Sequence, residues 1–129
     1  MNNENDIKGI VTICGSLKFY NKMLDIYSGL TARGWVVFFP SVSANHRIEL
    51  RKSVEEMSNL MYNIHKKKIE MSNLILIVDI DNYVGSDTTK EIEYAKELHI
   101  PVAYYLKDFG EDLNKLNEVL NKKYPSEFL

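Results

Sequence analysis

Four short runs of nearly continuous apolar residues constrain the fold of this chain more than any other feature. They occupy residues 10–14, 35–39, 74–78 and 100–105 and are rich in β-branched and aromatic residues. Such runs are typical of strands buried on both faces of a parallel sheet. The segments between them carry apolar residues at helical spacing. The pattern therefore predicts alternating strands and helices, with right-handed crossovers and helices on both faces of the sheet.

Helices are expected in the remaining segments. The first follows Ser16 and ends at Gly34, because glycine favours the C-terminal stop of a helix. Residues 41–45 are expected to form a loop, and a second, long helix to start at about Ile48. A third helix should follow the third strand, and a last one should span about 112–122. The apolar stripe expected on the long helix consists of Val54, Met57, Leu60, Met61, Ile64 and Met71, interrupted by Lys68.

This alternation predicts a three-layer α/β/α domain with a flavodoxin-like parallel sheet of four to five strands, in the order 2-1-3-4(-5). In that order the direction of winding reverses between strands one and three. Ligands of open α/β sheets bind at such a point, outside the carboxyl ends of the strands. Gly15-Ser16 and the segment 79–91 would then flank one crevice.

Composition limits the possible functions. With 129 residues and 45% hydrophobic content, one domain is expected over residues 1–129, with a polar tail at 1–8 and a second tail at 124–129. A net charge of -2 gives no basic surplus for nucleic-acid binding. No apolar run is long enough to span a bilayer, and the polar N-terminus does not fit a secretory signal. We expect a soluble cytoplasmic protein with neither nucleic-acid nor membrane partners.

The first candidate site is Gly15-Ser16-Leu17-Lys18, where a strand turns into a helix. Free N–H groups and the helix dipole favour an anion there, and Lys18 would add positive charge. The segment lacks both the dinucleotide and the P-loop glycine patterns. An ordinary helix start explains it as well as an anion site does.

The second candidate site follows the third strand. Asp79 could contact a sugar hydroxyl, although aspartates in this position often only make turns. Thr88-x-x-Glu91 matches a capping box, in which Glu91 would only satisfy its own helix. Gly85 would permit close approach of a ligand, and Ser86 offers a hydroxyl. The spacing leaves open whether Glu91 caps a helix or catalyses a reaction.

The sequence spacing of the histidines and of the single cysteine gives little indication of function. His65 would end the long helix near the same crevice and is, taken singly, typical of a half-exposed surface histidine. Cys14 has no evident neighbouring base and fits a small buried residue better than a nucleophile. A single cysteine can form neither an internal disulfide nor a multi-cysteine zinc site, which favours a reducing compartment. No His, Asp or Glu spacing predicts a metal site.

Three segments, at residues 11–19, 65–69 and 82–95, resemble the nucleoside 2-deoxyribosyltransferase superfamily, over about residues 9–106. The most specific of these motifs is Gly-Ser-x(4)-Glu-Ile-x-Tyr-Ala, beginning at Gly85. The resemblance implies cleavage of the bond between base and sugar in a nucleoside or nucleoside monophosphate, with no cofactor. It also implies that Glu91 is the nucleophile, that Gly15, Ser16 and Ser86 contact sugar or phosphate, and that the protein forms a homodimer or higher oligomer.

Three positions depart from that family's pattern. Thr12 stands where the transferases have a tyrosine that orients the nucleophile, and His65 where they have an aspartate that assists the leaving base. His65 could act as the general acid. Glu93 replaces a small residue and, if it pointed inward, would raise the pKa of Glu91.

The leading hypothesis is therefore an N-glycosidase or glycosyltransferase. The alternatives are a nucleotide-sensing module without turnover and a domain in which Glu91 only caps its helix.

Overall fold

The sheet has the predicted order. The computed structural model describes residues 6–40 and 46–123. Its strands are β1 (Gly9–Cys14), β2 (Trp35–Phe38), β3 (Leu74–Ile77) and β4 (Val102–Tyr104). They form one all-parallel sheet in the order β2-β1-β3-β4. The predicted fold class and strand order are confirmed, with four strands in the described part of the chain.

Within residues 6–40 and 46–123 five helices accompany the sheet, and the 3-10 turns Leu17–Phe19 and Ile80–Asn82 follow β1 and β3. The helices are α1 (Tyr20–Ala32), α2 (Val54–Glu70), α3 (Ser86–Glu97), α4 (Tyr105–Phe109) and α5 (Leu113–Lys123). One hydrophobic cluster joins α1, α4 and α5 to one face of the sheet, and a second joins α2 and α3 to the other. The result is the predicted three-layer arrangement.

Successive residues of β1 serve opposite faces, as the two-residue period of a strand requires. Val11 and Ile13 belong to the cluster beneath α1 and α5. Cys14 belongs to the other cluster, and the hydroxyl of Thr12 donates to the backbone carbonyl of Lys68 near the end of α2. The short polar side chains of β1 thus point to the side covered by α2 and α3.

The start of α2 differs from the prediction. The helix begins at Val54 because Ser53 and Glu56 form a reciprocal capping box, in which each side chain accepts the other residue's N–H. Residues 47–51 form turns before it. The tails at 1–5 and 124–129 and the loop expected at 41–45 lie outside the described residues.

The expected apolar stripe of α2 is present only in part: Met57 is buried and Met61 and Ile64 are half-buried, whereas Leu60 is exposed. The buried side chains of the helix are Met57, His65 and Ile69, whereas Val54 is 66% exposed and Met71 50% exposed. The buried face of α2 includes His65 because it packs against the end of β1 that carries Thr12 and Cys14. Among the described residues, no helix is long and apolar enough to span a membrane.

Candidate active site

The candidate site lies at the carboxyl ends of β1 and β3, where the sheet reverses its direction of winding. Cys14 is in register with Ile77, and the carbonyl of Cys14 accepts the N–H of Val78 at 2.8 Å. A Cβ at Gly15 would lie 3.2 Å from the carbonyl oxygen of Val78. Glycine therefore lets the turn after β1 lie directly against the end of β3.

Glu91 does not cap its helix. Helix α3 begins at Ser86, Gly85 is its N-cap residue, and no side chain supplies a cap hydrogen bond. The capping box expected between Thr88 and Glu91 is absent, so that interpretation is wrong. Thr88 and Glu91 are instead buried on the face of α3 that also carries Ile92 and Ala95. The carboxylate of Glu91 therefore faces the interior near the end of β1.

His65 meets Glu91 there. Its Nε2 lies 3.5 Å from Oε1 of Glu91, and the two side chains are only 7% and 10% exposed. His65 is thus a buried residue, and not the half-exposed surface histidine that its isolated position in the sequence suggested. The distance is long for a hydrogen bond, but catalytic contacts often shorten only when substrate binds. Helices α2 and α3 bring the two groups together across 26 positions of the sequence.

Cys14 completes this cluster. Its Sγ lies 3.4 Å from Nε2 of His65, so the expectation that no base adjoins Cys14 is wrong. Burial, and then the charge and hydrogen bonding of Glu91, raise the pKa of the Cys14 thiol well above its ordinary value. The sulfur therefore stays protonated and weakly nucleophilic, in agreement with its predicted role as a buried residue.

The two nitrogens of His65 have different surroundings. Sulfur and carboxylate both approach Nε2, while Nδ1 is buried without a hydrogen-bond partner among the described residues. A proton on Nδ1 would be a buried donor without an acceptor, which is costly. The neutral ring therefore favours a proton on Nε2, pointing at the carboxylate of Glu91. A Cys-His-Glu relay would need the thiol and the carboxylate on opposite nitrogens, and this geometry does not provide it.

The hydroxyl of Thr12 is engaged away from Glu91. It donates to the carbonyl of Lys68 at 3.2 Å and adjoins the hydroxyl of Ser72. Lys68 in turn donates from Nζ to the carbonyl of Phe39 at 2.9 Å, and burial lowers the pKa of its ammonium group. These contacts fix the end of α2 against β1 and β2, and so fix the helix that carries His65. The residue of β1 that lies beside Glu91 is Cys14.

The turn after β1 contains the candidate residues Gly15, Ser16 and Lys18. The hydroxyl of Ser16 accepts the N–H of Lys18 at 3.3 Å and caps the 3-10 turn, so the expected helix start is present, with α1 following from Tyr20. The ammonium group of Lys18 lies 3.4 Å from the centre of the Tyr83 ring. Lys18 and Tyr83 thereby connect the turns after β1 and β3 at the carboxyl ends of these strands.

Asp79 has a structural task. Its two carboxylate oxygens accept the N–H groups of Leu106 at 2.6 Å and Lys107 at 3.1 Å, at the start of α4. The side chain is buried, and the negative charge is favourable at a helix N-terminus. Both carboxylate oxygens of Asp79 are thereby occupied at the start of α4.

The remaining predicted positions, Gly85, Ser86 and Glu93, lie at or just after the start of α3. Gly85 is partly buried, and Ser86 is exposed at the first turn of α3. Glu93 is exposed, so it does not point inward beside Glu91. Of the predicted site residues, the structure brings His65 and Glu91 into contact and places Gly15, Ser16, Gly85 and Ser86 around the same end of the sheet.

Comparison with family models, with curated proteins and with solved structures gave no match.

Proposed function

We propose that the protein cleaves the N-glycosidic bond of a nucleoside or nucleoside monophosphate, with the Glu91 carboxylate as nucleophile. The observation that carries this proposal is the inward position of Glu91, in contact with His65 and released from any capping role. A carboxylate held at the end of the central strands, beside a proton donor, suits a reaction that passes through an oxocarbenium-like sugar. The family resemblance of residues 82–95 points to the same chemistry.

In the first step an oxygen of Glu91 forms a bond to the anomeric carbon while the bond from that carbon to the base nitrogen breaks. The electron pair stays on the base, which takes up a proton from the imidazolium form of His65 or from solvent. In the second step water, or an acceptor base, attacks the same carbon and releases the carboxylate. Hydrolysis by water also returns one proton to solvent or to the acid.

His65 has two tasks in this scheme. In the free protein its Nε2 proton points at Oε1 of Glu91 and orients the carboxylate, which is the role that Thr12 cannot fill from its position beside α2. An oxygen of the carboxylate oriented in this way can then attack. As the ester forms, the negative charge on Glu91 is lost, and the imidazolium form of His65 can give its proton to the leaving base.

The substrate would be bound by residues at the carboxyl ends of β1 and β3. The turn at Gly15-Ser16 and the start of α3 at Gly85-Ser86 offer backbone N–H groups and two hydroxyls on either side of the crevice. Lys18 adds a positive charge at its mouth. Such groups suit the hydroxyls of a sugar or a 5'-phosphate.

The test is incubation of the protein with a panel of nucleosides, deoxynucleosides and their monophosphates, with chromatography of the released base. Glu91→Gln keeps the size of the side chain and removes the nucleophile, so release should fall to background. Glu93→Gln is the matched control, because Glu93 lies exposed on the same helix, and it should retain the wild-type rate. The absence of release by wild type, or equal release by Glu91→Gln, would rule the proposal out.

A nucleotide-sensing role without turnover is a second candidate, favoured by the low exposure of the cluster. With only 10% of the Glu91 side chain exposed, a nucleotide could occupy the rim without reaching the carboxylate. This role predicts a rise in melting temperature with nucleotide and no released base. A panel that gives neither a thermal shift nor release would exclude both candidates.

The family resemblance also supports a homo-oligomer in solution, and this too is a proposal. Light scattering coupled to size-exclusion chromatography measures it directly. A mass corresponding to the 15.0 kDa monomer at the concentrations used for the activity assay would contradict it.

A further inference from the structure

The cluster at the end of β1 unites three side chains that are good ligands for a transition metal. Cys14 comes from β1, His65 from α2 and Glu91 from α3, and all three are buried. A thiolate, an imidazole and a carboxylate are each common zinc ligands. Their sequence separations gave no indication of a metal site, because each residue comes from a different element.

The spacing of the ligand atoms fits a tetrahedral ion. In such a site, with a zinc–sulfur bond of about 2.3 Å and zinc–nitrogen and zinc–oxygen bonds of about 2.0 Å, neighbouring ligand atoms lie about 3.3 to 3.6 Å apart. Here Sγ and Nε2 are 3.4 Å apart, and Nε2 and Oε1 are 3.5 Å apart. All three ligand atoms lie within 4.8 Å of one another. An ion could contact all three after small side-chain rotations.

We propose that Cys14 Sγ, His65 Nε2 and the Glu91 carboxylate form a binding site for Zn²⁺ or Co²⁺, with the fourth position open to water. On binding, the Cys14 thiol loses its proton to solvent and a metal–sulfur bond forms, so one proton is released per ion. The charge of the ion then balances the thiolate and the carboxylate.

Reversible binding is expected because of the second nitrogen of His65. When Nε2 binds an ion, the proton of the neutral ring must move to Nδ1, which has no hydrogen-bond partner among the described residues. Metal-binding histidines normally donate that proton to a carbonyl or a carboxylate, and loss of such a contact costs about 10- to 100-fold in affinity. The ion should therefore be removable with a chelator, leaving the folded protein.

The ion and the proposed reaction would compete for one carboxylate. If Glu91 is the nucleophile, bound Zn²⁺ inhibits base release, a consequence that rests on the proposed function. Metal binding itself does not depend on that function, so it is tested without any nucleoside.

The experiment is a spectroscopic titration of the chelator-treated protein with Co²⁺. Wild type should give a thiolate-to-cobalt charge-transfer band and the intense visible bands of tetrahedral cobalt, both saturating at one equivalent. Added Zn²⁺ should displace the cobalt and abolish these bands. In a separate titration, Zn²⁺ binding to the metal-free protein in a weakly buffered solution should release about one proton per ion, because only the thiol must deprotonate. Absence of the charge-transfer band in wild type would overturn the proposal.

Two variants locate the site. Cys14→Ser should lose the charge-transfer band and weaken Zn²⁺ binding by more than about 100-fold, since a direct ligand matters more than a supporting contact. Glu91→Gln should also weaken binding, and it covers the case in which Cys14→Ser does not fold. Unchanged Zn²⁺ affinity in a folded Cys14→Ser or Glu91→Gln variant would overturn the proposal.

The matched control is His46→Ala. His46 and Glu49 form an exposed pair at 3.0 Å, which is the obvious competing site for an added metal ion. The cobalt spectrum of this variant should equal that of wild type. Loss of the cobalt bands in His46→Ala would assign binding to the surface pair and overturn the proposal.

Discussion

The two faces of the sheet are built from different kinds of residue. Beneath α1 and α5 the buried cluster is hydrophobic, and Leu76 and Leu116 at its centre are fully buried. Beneath α2 and α3 the buried cluster ends in Cys14, His65 and Glu91. A buried carboxylate and an imidazole nitrogen without a partner add little to stability. The comparison indicates that one face is packed by hydrophobic side chains, whereas the other combines hydrophobic side chains with a cluster of buried ionisable groups.

The largest effect is expected on activity, from His65→Asn. Loss of the imidazole removes both the group that orients Glu91 and the proposed proton donor, so base release should fall by about 10²- to 10⁴-fold. Steady-state assays of purified variants measure it. His99→Asn is the control, because His99 is exposed and asparagine tolerates its positive φ of 60°. Equal losses in the two variants would contradict the assigned role of His65.

The next effect is on stability, from Leu76→Ala on the hydrophobic face. Leu76 is 0% exposed, so the substitution leaves a cavity and should lower the free energy of unfolding by about 2–5 kcal/mol. Urea denaturation followed by circular dichroism measures this difference. Val36→Ala, at an exposed position of β2, should cost no more than about 0.5 kcal/mol. Similar losses at both sites would mean that this face is not tightly packed.

A smaller loss of stability is expected for Asp79→Asn. The change removes a charged acceptor from the N–H groups of Leu106 and Lys107 at the start of α4 and should cost about 1–3 kcal/mol. Asp81→Asn, at an exposed position two residues on, should be nearly neutral. Base release per folded molecule should stay at the wild-type level in both variants. A selective rise in KM for Asp79→Asn would instead make Asp79 a substrate contact.

The smallest effect is expected for Thr88→Val. Thr88 is buried inside α3, whose N-cap residue is Gly85, so replacing its hydroxyl by a methyl group of similar size should not lower the free energy of unfolding. A working capping box would instead lose about 1 kcal/mol. Thermal denaturation of the two proteins, measured side by side, distinguishes these values.

The sheet could be predicted from the sequence because four apolar runs separated by helical patterns permit few topologies. Boundaries were harder to predict where apolar residues continue past an element. Ile48 and Leu50 extended the apparent pattern of α2, although Ser53 and Glu56 start the helix by capping it. Helix α4 was missed because Tyr105 continues the apolar run of β4, and the Asp79 contacts that stabilise its first turn lie far away in sequence.

The candidate site was predicted only in part. Glu91 and His65 could be selected from the crevice position and the resemblance, but Cys14 could not, because its contact with His65 spans 51 positions. One indication was available in the sequence. Because side chains of a strand alternate between the two faces of the sheet, Cys14 had to lie on the face opposite Ile13. Which helix covers that face depends on tertiary packing, and the misplaced stripe of α2 hid the fact that His65 points inward.

The central claim, that Glu91 is a nucleophile, is tested most directly by mass spectrometry of the protein quenched during turnover. With a nucleoside or nucleotide that releases base, the intact mass should increase by that of the sugar unit, and the increase should map to the peptide containing Glu91. Glu91→Gln should show no increase and Glu93→Gln should show the wild-type adduct. An adduct on another residue, or base release by a wild type that never carries one, would contradict the account.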